Sequence, residues 1–323
     1  MRMRRLGEGG PEVSVLGLGC NTFGLRIGLP DTREIVATAL DLGVNFFDTA
    51  DLYGKMDSER FLGQALGSRR DEVVIATKWG WKTLDGAPER RALGLLKREM
   101  PRGSDPYIRW SLDQSLQRLG TDWIDVYQYH KPDGETPLEE TFQTLAALVR
   151  EGKIRWAGLP SLEPRELEEA TGIARRIGLP LATIQLQYSL VRRDAERELL
   201  PLCERLGIGV LPYLPLEGGL LTGKYSRGAP PPADSRFGSG LTQFWPRETF
   251  LTEEAFDRVD ALQAYATERG ISLLEVAIGG LIAMPGVGSV IAGATRPEHV
   301  TANARAAQWV PNEQDLAQLR ALA

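Results

Sequence analysis

Regular alternation is the property of this chain that most restricts its fold. Eight short, β-rich apolar runs are separated by amphipathic stretches of helical spacing. The runs are Val15–Gly19, Val44–Asp48, Val73–Lys78, Trp123–Tyr129, Ile154–Gly158, Ala182–Gln187, Ile208–Tyr213 and Gly288–Ala292. Strands that alternate with helices pair in parallel, and a parallel sheet must have both faces covered. Eight such units predict a (β/α)8 TIM barrel, one domain over 1–323. The competing arrangement is an open doubly wound sheet, which usually carries a Gly-x-Gly-x-x-Gly turn after its first strand. Gly17-Leu-Gly19-Cys-Asn-Thr22 lacks the third glycine.

Several helices announce their starts. Asp31-Thr-Arg-Glu34 and Thr136-Pro-Leu-Glu139 read as caps with an acidic residue three positions on, and Asp105-Pro106 and Ser272-Leu-Leu-Glu275 open two more. Two segments, Gly80–Ser104 and roughly Glu217–Phe250, fit neither strand nor helix and are expected to be long loops. Both follow strands, so both fall on the C-terminal face of a barrel, where such folds hold their sites.

Composition narrows the function classes. Lys plus Arg number 38 against 43 Asp plus Glu, a net charge of −5, which argues against nucleic acid as a partner. With 42% hydrophobic residues the chain can bury a core, which excludes wholesale disorder. No apolar run approaches the roughly 20 residues of a membrane span, and MRMRRLGEGG lacks the apolar stretch of a secretory signal. Cys20 and Cys203 imply no disulfide framework, which suits a reducing cytoplasm, and His130 and His299 are too few for a zinc site, so no metal is expected. Oligomeric state leaves no mark in the sequence.

Four polar residues stand at or just past successive strand ends: Asp48, Tyr53, Lys78 and His130. Taken singly each has an ordinary explanation, as a helix cap, a packed ring, a solvated cation or a satisfied hydrogen-bonder. In a barrel the ends of strands two, three and four are neighbours, and the combination answers a chemical need. A phenol with pKa about 10 is a poor acid at neutrality, and an adjacent ammonium lowers that pKa. Asp48 can hold Lys78 charged, and His130 can donate a hydrogen bond to a carbonyl oxygen. Such a set polarises a C=O and protonates its oxygen while something else attacks the carbon.

FFDTADLYG, VVIATKWG and DVYQYHKPD resemble the signature segments of the aldo-keto reductases, a family of nicotinamide-dependent (β/α)8 barrels. The resemblance runs from an N-terminal hairpin to the last barrel helix near Asn303. It implies that Tyr53 is the proton donor, that Lys78 and Asp48 tune it, and that His130 positions the carbonyl. Asp48 also borders the cofactor. Ser161 and Gln185 are implied for the nicotinamide amide, and Tyr213 for stacking beneath its ring. Pro160 stands where the family has a serine before its asparagine, which removes one donor. Leu214, Pro215, Leu216 and Gly218, with Lys224 and Arg236, would wrap the pyrophosphate, although Leu214 replaces the family's serine. Gly293, Thr295, Arg296 and His299 would cup an adenosine 2′-phosphate, with Asn303 reaching adenine, which favours NADPH over NADH. Asn21, Phe23, Trp79, Trp81 and Tyr129 are the expected substrate residues.

The resemblance therefore implies an NADPH-dependent reductase of aldehydes or ketones, acting on a small carbonyl compound. Alternatives are a cofactor-binding redox sensor resembling potassium-channel β subunits, a sugar or alcohol dehydrogenase running in the oxidative direction, and a barrel lyase or hydrolase without nicotinamide. A nucleotide P-loop is disfavoured. In Gly218-Gly-Leu-Leu-Thr-Gly223-Lys224-Tyr225 a tyrosine replaces the magnesium-binding hydroxyl, and no helix is expected to follow.

Overall fold

The computed structural model describes residues 1–81, 100–239 and 246–322. Residues 82–99 and 240–245, parts of the two segments expected to be long loops, lie outside the described residues. A hairpin of β1 (Met3–Arg5) and β2 (Glu12–Ser14) comes first. The barrel strands are β3 (Leu16–Gly19), β4 (Phe46–Asp48), β5 (Val74–Trp79), β6 (Ile124–Tyr129), β7 (Ile154–Leu159), β8 (Leu181–Gln187), β9 (Gly209–Tyr213) and β10 (Val290–Gly293). Each lies within about two residues of its expected run. The described helices are α1 (Leu29–Asp41), α2 (Asp57–Leu66), α3 (Asp105–Leu119), α4 (Leu138–Arg150), α5 (Pro164–Ile177), α6 (Leu199–Leu206), α7 (Glu253–Glu268), α8 (Leu273–Ile282), α9 (Pro297–Ala306) and α10 (Glu313–Ala321). None of them is long and apolar enough to cross a membrane.

All barrel strands run parallel in the order β10-β3-β4-β5-β6-β7-β8-β9. Val210 N–H donates to Gly286 O at 2.8 Å and Gly288 N–H donates to Val210 O at 2.8 Å, joining β9 to the chain entering β10 and closing the ring. The fold is the expected TIM barrel. Its interior is a dry cluster of Phe46, Ala76, Val126, Leu211 and Ile291, one from each of five strands, sealed from below by Leu6 and Val13 of the hairpin segment. Side chains alternate across a strand with period two. The parity that sends these residues inward therefore also sends Asp48, Lys78, Gln128 and Tyr213 inward, one step nearer the C-terminal rim.

Helix starts follow local competition for donors. Ser272 and Glu275 form the expected reciprocal cap, with Glu275 N–H donating to Ser272 Oγ at 3.2 Å and Ser272 N–H to Glu275 Oε2 at 2.8 Å. Thr136 does not cap α4. Its backbone N–H and its hydroxyl both donate to Asp133, at 2.9 Å each, and Pro137 takes the cap position. The helix expected from Asp31 begins two residues earlier, at Leu29, with Pro30 in its first turn. Asp105 lies inside α3, behind Ser104, and pairs with Arg109 at 2.9 Å.

One buried ion pair braces the barrel from outside. Glu59 of α2, 0% exposed, accepts from Thr77 Oγ1 of β5 at 2.6 Å and from Arg118 of α3 at 2.6 Å. Removing the guanidinium leaves a buried carboxylate without its counter-charge, held by the Thr77 hydroxyl. Arg118→Met is expected to lower unfolding free energy by about 3–5 kcal/mol, measured by urea denaturation.

Candidate active site

Lys78 is 2% exposed, and its ammonium places its protons on three acceptors: Asp48 Oδ2 at 2.6 Å, the Thr49 carbonyl at 2.7 Å and Tyr53 Oη at 3.5 Å. Asp48 comes from the end of β4, Lys78 from β5, and Tyr53 from the short turn after β4 (Tyr53–Met56). His130 follows β6, fixed by its N–H donating to Trp79 O at 2.8 Å, and its ring meets that of Tyr53 edge-on, with centroids 5.9 Å apart. The four residues therefore converge on one stretch of rim, at the adjacent strands β4, β5 and β6.

Their electrostatics differ from the sequence expectation in one respect. Burial raises the Tyr53 pKa, and the nearby Lys78 only limits the rise, so the phenol sits above its ordinary value. The expected net lowering is not found. At neutrality the phenol accordingly keeps its proton. Burial opposes the charge on Lys78, but Asp48 and Tyr53 outweigh it, and the ammonium titrates above its ordinary range. Burial, and then Lys78, push His130 well below the usual imidazole value, leaving it neutral with one N–H to offer. Its Nδ1 is buried without a partner among the described residues.

The cofactor residues implied by the resemblance occupy the other arc of the rim. Gln185 of β8 donates its amide to Asp48 Oδ1, which leaves its own oxygen free to accept. Tyr213 ends β9, near enough to Tyr53 for their charges to interact. Left-handed conformations at Leu214, Glu217, Gly218 and Gly219 then curl the chain tightly around Pro215 and Leu216. Curled backbone of this kind presents N–H groups to an anion. Only glycine fits at 218, because a Cβ there would lie 2.4 Å from the Phe237 ring.

Arg26, Lys224, Arg236, Arg296 and His299 gather above β9, β10 and β3. Lys224 is depressed first by burial and then by Arg26 and Arg236, Arg236 by burial and then Arg26, and His299 by burial and then Arg296 and Lys224. Arg26 also donates to Asp234 O at 2.7 Å, joining the loop after β3 to the segment after β9. Thr295 stands beside His299, its hydroxyl 3.3 Å from Nδ1. Gly293 ends β10 and Asn303 is buried in α9. Ser161 is exposed just past β7. A dense cationic arc, a curled glycine-rich backbone and an amide oxygen beside the buried Asp48–Lys78 pair could hold a dinucleotide.

The substrate residues divide. Trp81 is 38% exposed and packs on His130, ring centroids 4.8 Å apart, with Lys131 over its outer face. Asn21 lies partly exposed beside Gly293. Phe23, Trp79 and Tyr129 are buried in the core instead. Trp79 stacks between Tyr127 and Tyr129, at 4.5 and 4.8 Å, and donates its indole N–H to Arg102 O at 3.1 Å. It follows Lys78 directly, so period two turns it to the opposite face. Arg102 in turn donates to Gly80 O at 2.7 Å, and Gly103 N–H to Asp133 at 2.7 Å. Three contributors escaped the sequence reading. The Thr49 carbonyl carries no side-chain signal and Arg26 no periodic one, but Gln128 lies two residues before His130 and shares its face.

Comparison with known proteins agrees with this geometry. A family model described as Aldo/keto reductase family matches residues 15–323. The chain is 35% identical to a probable voltage-gated potassium channel subunit beta of Arabidopsis thaliana, over 96% of this chain and 92% of that protein. It is 33% identical to an L-glyceraldehyde 3-phosphate reductase of Escherichia coli, over 95% of this chain and 87% of that one. Barrel, rim chemistry and sequence likeness converge: the chain belongs to the aldo/keto reductase family of oxidoreductases.

Proposed function

We propose that the protein is an NADPH-dependent reductase that converts aldehydes or ketones to alcohols. The observation that carries this reading is the sealed ammonium of Lys78, shared between Asp48 and the Tyr53 phenol beside a neutral His130. The neutral imidazole donates its N–H to the carbonyl oxygen and orients it. Tyr53 releases its proton to that oxygen as negative charge grows there, and Lys78 stabilises the phenolate left behind. Trp81 screens the reacting oxygen from water on one side. Bound reduced nicotinamide would supply the hydride for the carbonyl carbon. Gln185, Ser161 and Tyr213 would hold that ring, the 214–218 backbone with Lys224 and Arg236 the pyrophosphate, and Thr295, Arg296 and His299 the 2′-phosphate. Asn303 would reach the adenine.

A second reading is a cofactor-binding regulatory barrel. It is favoured by the likeness to proteins named voltage-gated potassium channel subunit beta. Turnover separates the two, since a regulatory barrel would bind NADPH tightly and reduce no member of a broad carbonyl panel.

Tyr53→Phe is expected to lower turnover of 4-nitrobenzaldehyde by about a hundredfold or more while NADPH still quenches tryptophan emission. Unchanged turnover would remove Tyr53 from the mechanism. Because His130 is neutral far below its ordinary range and the phenol ionises above its own, the reduction rate should be level from about pH 6 to about pH 9 and fall beyond. An inflection near about pH 6.5 would assign a charged His130 instead. Arg296→Ala should weaken NADPH binding about tenfold and NADH binding little, read by fluorescence titration.

A further inference from the structure

We propose that Gln128 is a positioning residue that holds the Asp48 carboxylate in place independently of whatever engages Gln185, an inference that rests on the reading of Tyr53 as proton donor. Asp48 Oδ1 accepts from two amides, one from Gln128 of β6 at 3.1 Å and one from Gln185 of β8, while Oδ2 accepts from Lys78. The two glutamines are not equivalent. Gln185 lies at the border of the arc where a ligand amide would dock, and turning to meet that amide would withdraw its N–H from Asp48. Gln128, 1% exposed, stands instead on β6, two strands away from Gln185 and from that arc.

The amide of Gln128 is oriented by Asp48 at the expense of its own oxygen. A carboxylate only accepts, so the NH2 must face Asp48 and Oε1 must face away. Among the described residues that oxygen has no partner, and neither has the fully buried Thr183 hydroxyl nearby. The room comes from Gly158, where a Cβ would lie 2.6 Å from both Gln128 Cγ and Thr183 Oγ1. A buried carbonyl without a donor opposes folding, and an apolar side chain of similar length would not. The orientation is therefore set by Asp48, and the unpaired carbonyl offsets what the bond to the carboxylate contributes to stability.

Asp48 acts on Tyr53 through space and on Lys78 by contact. The titratable or charged groups around this pair are Lys78 of β5, Cys20 past β3, His130 past β6, Tyr213 of β9 and Arg236 beyond it. An N–H on Asp48 damps its negative field, and that field raises the phenol's pKa. Removing the donor strengthens the field, moving Tyr53 ionisation up, and frees the carboxylate to swing, which displaces Lys78 and the phenol.

The test is Gln128→Leu in the full chain, with Gln128→Met as the second variant should leucine fail to fold. Expected are a melting temperature close to that of the parent, since the lost donor and the removed orphan carbonyl offset each other, a kcat for 4-nitrobenzaldehyde lowered roughly tenfold to a hundredfold, and nearly unchanged NADPH binding. The alkaline limb of the rate profile should move up by about half a pH unit. A lower melting temperature with an unmoved limb would reduce Gln128 to a packing residue, and unchanged kcat and limb would remove it altogether. The ultraviolet titration of Tyr53, taken as the difference from Tyr53→Phe with and without Gln128→Leu, needs no turnover. A parent protein that reduces no carbonyl would overturn the reductase reading, while an upward shift in this titration would still uphold the hold on Asp48 and its absence would refute it.

Discussion

A buried ammonium must place three protons, and the site is arranged around that requirement. Lys78 meets it with a carboxylate, a main-chain carbonyl and a phenol drawn from the neighbouring strand and the turn that follows. Each partner would be poorly placed without the other two. Asp48 keeps the lysine charged despite burial, the Thr49 carbonyl fixes its direction, and Tyr53 receives the remaining proton. A buried ion pair contributes little to stability unless its geometry is complete. Here completeness produces a charged group aimed at a dissociable hydroxyl in a dry setting, where its influence is strongest.

The barrel divides its labour around the rim. Strands β4, β5 and β6 and the turn after β4 bring together Asp48, Lys78, Tyr53 and His130, while the chain after β9, β10 and β3 carries the cations. The hydrogen bond from Arg26 to Asp234 ties two parts of the cationic arc together. Gln185 and Tyr213 stand where the arcs meet. Since parallel strands place all their C-terminal ends on one face, the two groups of residues share one rim. The buried floor of Phe46, Ala76, Val126, Leu211 and Ile291 lies one step below both arcs.

Much of this was legible in the sequence, for physical reasons. Strands buried on both faces read as continuous apolar runs, so all eight stood out, and turn signals bounded them. Asp48, Lys78 and His130 were visible because polar residues at or just past strand ends break such runs, and Tyr53 because it follows Asp48 in the turn after β4. Helix starts were less legible where two acceptors compete, as at Thr136, which Asp133 captures. Adjacency also misled: Trp79 follows Lys78 and Tyr129 precedes His130, yet alternation turns both rings outward into the core. Gln128 obeys the same rule in reverse and went unnoticed because a glutamine inside a strand announces no chemistry. The pKa of Tyr53 was unreadable, since it depends on how deeply the ring is buried.

The chain leaving β5 is fastened at both margins. Gly80 accepts from Arg102, Trp79 donates to Arg102, and Gly103 is tied to Asp133. The end of β5 and the approach to α3 are thereby held to each other and to the chain after β6, so the strand that bears Lys78 cannot drift relative to the one that leads into His130.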